Sequence, residues 1–182
     1  MNRFTALLVA LSFSAVVHTA AVAGQSGDRL QTCLHQKQER TAAMQARDWE
    51  AMERFANAYI KRCVGIDRPR DFSTAHWEAA MAAMKLGRPA SALKYLDRCI
   101  EVFYANASCH VEKIYVLILM QRTGEARKWH ATANRLVNGQ VEATERALRG
   151  PVAGVEKEAL EIELESLQIS QRSLAMYGEE LE

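Results

Sequence analysis

The chain has 182 residues, about half of them hydrophobic, with 23 basic and 22 acidic side chains and four cysteines. That length fits one domain. So even a charge balance gives no support for nucleic acid as a partner.

Met1-Asn2-Arg3 supplies one positive charge, and Phe4 to Val17 contains no charged side chain, an n-region followed by an h-region. Ala21-Val22-Ala23 sets small residues where a signal peptidase inspects, which predicts a signal peptide over 1–23 and cleavage before Gly24. His18 and Thr19 interrupt an apolar run already short of the roughly 20 residues that a retained membrane anchor needs. The first cysteine is Cys33, too late for lipidation at the cleavage site. No later segment is long and apolar enough to cross a membrane, so stable membrane insertion is not expected. A mature chain of about 159 residues is therefore expected in a bacterial periplasm or secreted. Residues 152–182 carry eight Glu against Lys157 and Arg172, a balance of −6, which leaves +6 on residues 24–151 of that mature chain. Such a tail either docks on the basic body in cis or is a solvated helix with a charged face.

After Gly27 the polarity becomes helical, with Leu30, Cys33, Leu34, Thr41 and Met44 on one stripe and Lys37 as its charged member, whose stem can pack while its ammonium reaches water. Asp48 is a good N-cap for a second helix carrying Met52, Phe55, Tyr59 and Cys63. The short connection predicts an antiparallel hairpin. Val64 to Phe72, with Gly65, Asp67 and Pro69, reads as a loop, and Ser73 or Thr74 as the cap of a third helix lined by Trp77, Ala80, Met81 and Met84. Gly87-Arg88-Pro89 breaks it. Pro89 then opens a fourth helix through Ala92, Leu93, Leu96 and Ile100. Asn106-Ala107-Ser108 reads as a turn, and Val111 to Met120 as an almost wholly apolar fifth helix at the centre of the core. A sixth helix carries Ala126, Trp129, Ala133 and Leu136 and is predicted to stop at Asn138-Gly139. A shorter one follows from Val141 to Leu148, ended by Gly150-Pro151. The last helix, Val155 to Tyr177, has two apolar stripes: Leu160, Leu164, Leu167 and Leu174, and nearly opposite them Val155, Ile162, Ile169 and Met176. A helix apolar on two sides must bury both, against the body and against a second protein or a second copy, so a homodimer through this helix is one expectation. The alternation Leu160-Glu161-Ile162-Glu163-Leu164 also fits a strand, but Glu and Leu favour helix and no other strand candidate exists to pair with it. The fold class expected is all-α.

An internal period runs through these helices. A shift of 34 residues lays Trp77 on Val111, Met81 on Tyr115, Met84 on Ile118, Ala92 on Ala126, Tyr95 on Trp129 and Cys99 on Ala133. A shift of 40 lays Met52 on Ala92, Phe55 on Tyr95 and Tyr59 on Cys99. Over residues 28–138 the chain resembles the tetratricopeptide repeats, best in Ser73 to Asn106, where Ala80, Ala92 and Cys99 stand at small-residue positions and Gly87-Arg88-Pro89-Ala90-Ser91-Ala92-Leu93 is similar to the family's turn and second-helix start. Tyr104 stands where the pattern has Pro, and Lys113 and Ile114 replace its Leu-Gly pair. The resemblance implies a body over 24–138 of three antiparallel hairpins, an α-solenoid. Repeats of this kind need their terminal faces capped, and the helices of 139–182 are candidates. It also implies that first-helix residues line a concave groove: Trp77, Met81, Met84 and Lys85, then Val111, Tyr115 and Ile118. A Trp-Met-Met stripe suits a helical ligand, unless it is ordinary core covered by the last helix.

Four cysteines in an exported chain suggest two disulfides with three connectivities open. Cys33 and Cys63 fall at the open end of the first hairpin, and Cys99 and Cys109 flank the turn between helices four and five. These are the pairs expected, each contributing roughly 3 kcal/mol. Cys63 with Cys99 is the alternative pairing. Metal binding would need a C-x-x-C spacing that is missing, and no metal or other cofactor is expected.

His35, His76, His110 and His130 are scattered one per helix, with no H-E-x-x-H pair, no G-x-S-x-G elbow and no phosphate-cradling Gly loop. Asn106-Ala107-Ser108 is a glycosylation sequon only in a eukaryotic host. The expectation is a non-enzymatic interaction module (an adaptor, assembly or secretion accessory factor) that holds a protein or peptide partner in its groove. The alternative is an immunity-type inhibitor of an exported toxin or enzyme.

Overall fold

The computed structural model describes residues 27–182, where seven helices and no strand are found. The predicted leader lies outside the described residues. In chain order the helices are α1 (27–46), α2 (Trp49–Arg62), α3 (Pro69–Lys85), α4 (Pro89–Val102), α5 (Ala107–Leu119), α6 (Thr123–Leu148) and α7 (Gly154–Leu181). From α2 onward consecutive helices pack on one another, and α7 folds back on α6 and α5. The fold is all-α, a stack of antiparallel hairpins closed by a long C-terminal helix.

The three hairpins turn alike. α1 ends with Arg47 in the left-handed region at φ 56°, where Asp48 N–H donates to Ala43 O (2.9 Å) and Arg47 N–H to Met44 O (3.1 Å). α3 ends on Gly87 at φ 70°, with Arg88 N–H to Ala83 O (2.8 Å) and Gly87 N–H to Met84 O (3.0 Å). α5 ends on Gln121 at φ 58°, with Arg122 N–H to Leu117 O (2.9 Å) and Gln121 N–H to Ile118 O (2.8 Å). This pair of bonds is the Schellman closure, which satisfies the last carbonyls of a helix. The left-handed residues 47, 87 and 121 are spaced 40 and then 34 apart, the same two shifts that align the sequence. Burial repeats with them. Met52, Ala92 and Ala126 are all fully buried, as are Tyr59, Cys99 and Ala133, while Phe55, Tyr95 and Trp129 are each half-buried.

Small residues set the spacing within the stack. Ala75, Ala79, Ala80, Ala82 and Ala83 of α3 are at most 2 % exposed, which lets α2 and α4 approach α3 closely on both sides. Ile114, Val116 and Leu117 fill the corresponding part of α5 and form the main core with Leu96, Val137 and Leu174. Asp48 caps α2 as expected, accepting from Ala51 N–H at 3.0 Å.

Four details differ from the sequence reading. α1 turns a different face inward: Leu30 and Leu34 are exposed, and Cys33, Gln36, Arg40 and Ala43 are buried. The cause is the tie between Cys33 and Cys63, together with an acidic partner for Arg40, Glu78 of α3, at 2.7 Å. α3 begins at Pro69, not at Ser73 or Thr74, because proline is tolerated in the first turn; Ser73 is fully buried instead, its hydroxyl donating to Cys99 O at 3.1 Å. α5 likewise starts at Ala107, so Asn106 is its N-cap residue. α6 runs unbroken through Asn138-Gly139 for 26 residues. Burial of Val137, Val141 and Thr144 beneath α7 outweighs the roughly 1 kcal/mol cost of an interior glycine.

Candidate functional site

α7 determines what the concave side offers. Its Leu167, Leu174, Tyr177 and Leu181 are buried in the main core, and Leu160 and Leu164 half-buried beside them. Polar contacts fix its register on α6: His130 Nε2–H meets Leu174 O at 2.7 Å, Arg127 Nε donates to Leu181 O at 2.6 Å, and Gln171 Nε2 donates to Asn138 Oδ1 at 2.9 Å. The docking is apolar and hydrogen-bonded. Among the described residues, the ion pair that α7's glutamates make is with Lys157 of the same helix.

The end of α7 covers the α5 side of the anticipated groove. Val111 is 6 % exposed inside the core, and the Tyr115 ring is stacked by Tyr177 with centroids 6.0 Å apart. Burial, with Glu112's charge second, pushes the Tyr177 hydroxyl up to about 12. Burial also raises the Glu112 carboxyl, against the opposing charge of Lys85. Of the other residues anticipated there, Ile118 and Met84 are half-buried against the main core and Lys85 is exposed. Met81 packs instead on the cluster of Ala43, Met52 and Ala82 beneath α1 and α2.

Trp77 remains at an opening. The N-terminal parts of α3 and α7 stand apart around a cleft of about 450 Å³. Arg70, Thr74 and Trp77 form one wall, and Ile162, Glu163, Ser166 and Leu167 the other. The floor is the 103–108 segment with Gln140 of α6. Cys99 and Cys109, with Cα atoms 6.3 Å apart, close the loop that contains this floor. Inside that loop Asn106 Nδ2 donates to Ser73 Oγ at 2.8 Å, and Gln140 Nε2 donates to Ala105 O at 2.6 Å. Two buried groups on the lining have no hydrogen-bond partner, the Trp77 Nε1–H donor and the Gln140 Oε1 acceptor. Ile162 is 62 % exposed although it lines the cleft, so the apolar wall is open to solvent.

The cysteine pairs are those expected, Cys33 with Cys63 and Cys99 with Cys109, all four side chains at most 1 % exposed. The histidines do not converge. His35 is an exposed partner of Glu39, His130 is bonded to α7, and His110 is fully buried with its ring stacked on Trp129 at 5.4 Å. Burial lowers the pKa of both His76 and His110. Among the described residues no group of three or more His, Cys, Asp or Glu is placed to hold a metal ion, and no helix is long and apolar enough to cross a membrane.

No family model matches this chain, and no curated protein does. Among solved structures the chain is similar to the crystal structure of MamA protein, at 12 % identity and a TM-score of 0.37 over 82 % of this chain and 93 % of that one. The far wall of the cleft, Ile162 to Leu167, and its floor escaped sequence reasoning. Ile162 was visible only as one member of the second stripe on the last helix.

Proposed function

We propose that this chain is a non-catalytic, exported helical-repeat module of tetratricopeptide type, which seats a peptide or helical segment of a partner protein in the cleft between α3 and α7. The observation that carries the reading is the open cleft itself: an indole and an exposed isoleucine face each other across a hydrogen-bonded floor. A concave site of a few hundred Å³ with placed polar groups is the usual form of a binding site, and this one is lined about equally by apolar and polar residues. Its open side suits a chain segment that continues beyond the site better than an engulfed small molecule. Two buried cysteine pairs fit an oxidising compartment, which agrees with the leader expected over 1–23.

The test is to pan a random peptide library against the full mature chain and measure the selected peptides by fluorescence anisotropy. Ile162→Arg places a charge on the exposed cleft wall without touching the core, and should weaken the selected peptides about tenfold or more, the effect of a lost interface anchor. Selected peptides that bind this variant and the wild type equally would remove the cleft from consideration.

A further inference from the structure

The outward stripe of α7 is a second feature, which shares Ile162 with the cleft and, on its small-residue edge, Ala159 and Ser166. Val155, Ile162, Ile169 and Met176 are 83 %, 62 %, 51 % and 56 % exposed, on a helix whose opposite face is buried in the core. They recur at every seventh residue over roughly 32 Å of helix. A strict seven-residue repeat drifts by only about 20° per step on a straight helix, so the four side chains form one nearly straight apolar stripe. The stripe is hemmed by charge. Glu158, Glu165 and Glu179 follow along one edge with Arg172 among them, Glu156 and Glu161 lie close by, and all are exposed. The helix holds seven Glu against Lys157 and Arg172, a balance of −5.

We infer that this stripe is a docking seam for a basic, amphipathic helix carried by another protein, with apolar residues at seven-residue spacing and Lys or Arg on the flanks. The charge selects the occupant. A second copy of α7 would set glutamate against glutamate along the seam, and like charges across such a seam repel, whereas a basic helix pairs with them. The small residues Ala159, Ser166 and Ser173 on the other edge let a partner backbone approach closely.

The experiment uses the full chain and three synthetic 28-residue peptides, read by isothermal titration calorimetry. One has Ile at every seventh position with Lys flanks, one replaces each Lys by Glu, and one scrambles the Lys peptide at constant composition. The Lys peptide should bind, with the other two weaker by about tenfold or more, the difference that 1.4 kcal/mol makes. Ile169→Gln combined with Met176→Gln should weaken the Lys peptide by a similar factor while far-UV circular dichroism and the melting temperature stay unchanged. Neither position lines the cleft, so this outcome is independent of the peptide-panning result. No binding of the Lys peptide, equal binding of the scrambled one, or full binding by the double variant overturns the inference. A wild-type dimer in sedimentation that the double variant dissolves also overturns it, in favour of a second copy of this chain.

Discussion

Arg40 and Glu78 form a salt bridge at 2.7 Å with side chains 6 % and 10 % exposed, so both charges are desolvated by folding. The Arg40 guanidinium also lies 4.3 Å from the centre of the Tyr59 ring. Its Nε–H has no acceptor and the Nη1 contact to Glu78 Oε2 lacks hydrogen-bond geometry, which leaves charge attraction to offset the cost of burial. Removing one member of such a pair strands the other and costs about 3–5 kcal/mol. With a urea dependence of about 2 kcal/mol per molar, Arg40→Met or Glu78→Leu should lower the unfolding midpoint by about 1.5–2.5 M. The double variant, Arg40→Met with Glu78→Leu, leaves no stranded charge and should recover most of the loss. Burial already raises the Glu78 carboxyl against the lowering effect of Arg40. Without Arg40 it rises further. A carboxyl raised by folding adds stability below its unfolded pKa and loses it as the pH climbs through the folded value. Arg40→Met should therefore be least impaired near pH 4 and most impaired near pH 8. Urea titrations with the disulfides intact, at both pH values, read all of this. Single variants costing under about 1 kcal/mol, or a double variant costing the sum of the two, would show that the pair is not desolvated as described.

The three Schellman turns give a matched set of expectations. Arg47→Gly and Gln121→Gly relieve a left-handed non-glycine residue and should each stabilise by up to about 1 kcal/mol, whereas Gly87→Ala should cost about that much in thermal unfolding. His110 is buried and held neutral, with Nε2–H donating to Tyr104 O at 2.8 Å. Its pKa is lowered on folding, so the stability it contributes is complete above the unfolded value and is lost as pH falls through about 6.5, at up to about 1.4 kcal/mol per pH unit. His110→Gln should flatten this slope between pH 6.5 and 5.5, and an unchanged slope would exclude His110 as its source. A chain ending at Gly150 exposes what Leu167, Leu174, Tyr177 and Leu181 cover. The four side chains together account for about 6–12 kcal/mol, comparable with the whole stability of a domain. Circular dichroism of that fragment should show no cooperative unfolding; a folded, cooperative fragment would make α7 an appendage.

The repeat was legible because it rests on local chemistry. A turn closed by backbone bonds and a helix opened by Asp48 or Pro89 leave marks within a few residues, and fully buried small positions such as Ala92 and Ala126 recur at fixed distances from them. The cysteine pairing followed from hairpin geometry for the same reason. What depended on distant partners was hidden. Arg40 has the look of a surface residue until Glu78 is beside it, so the polarity pattern alone points the inward face of α1 at Leu30 and Leu34, which are exposed. Asn138-Gly139 reads as a stop until α7 covers the far half of α6. Trp77 was identified as a lining residue through the resemblance. The opposite wall of its cleft is set by the path of α7, which no short-range pattern in the sequence states.

The tie between Cys99 and Cys109 leaves the loop beneath the cleft few conformations to explore. Its freedom is spent once, when the sulfurs join, and need not be spent again at each encounter with a ligand. An incoming segment then bears the ordering cost alone, and a segment already curved to the cleft gains most. Selection in this molecule would therefore act on the shape of the guest, because the host was set when it was oxidised.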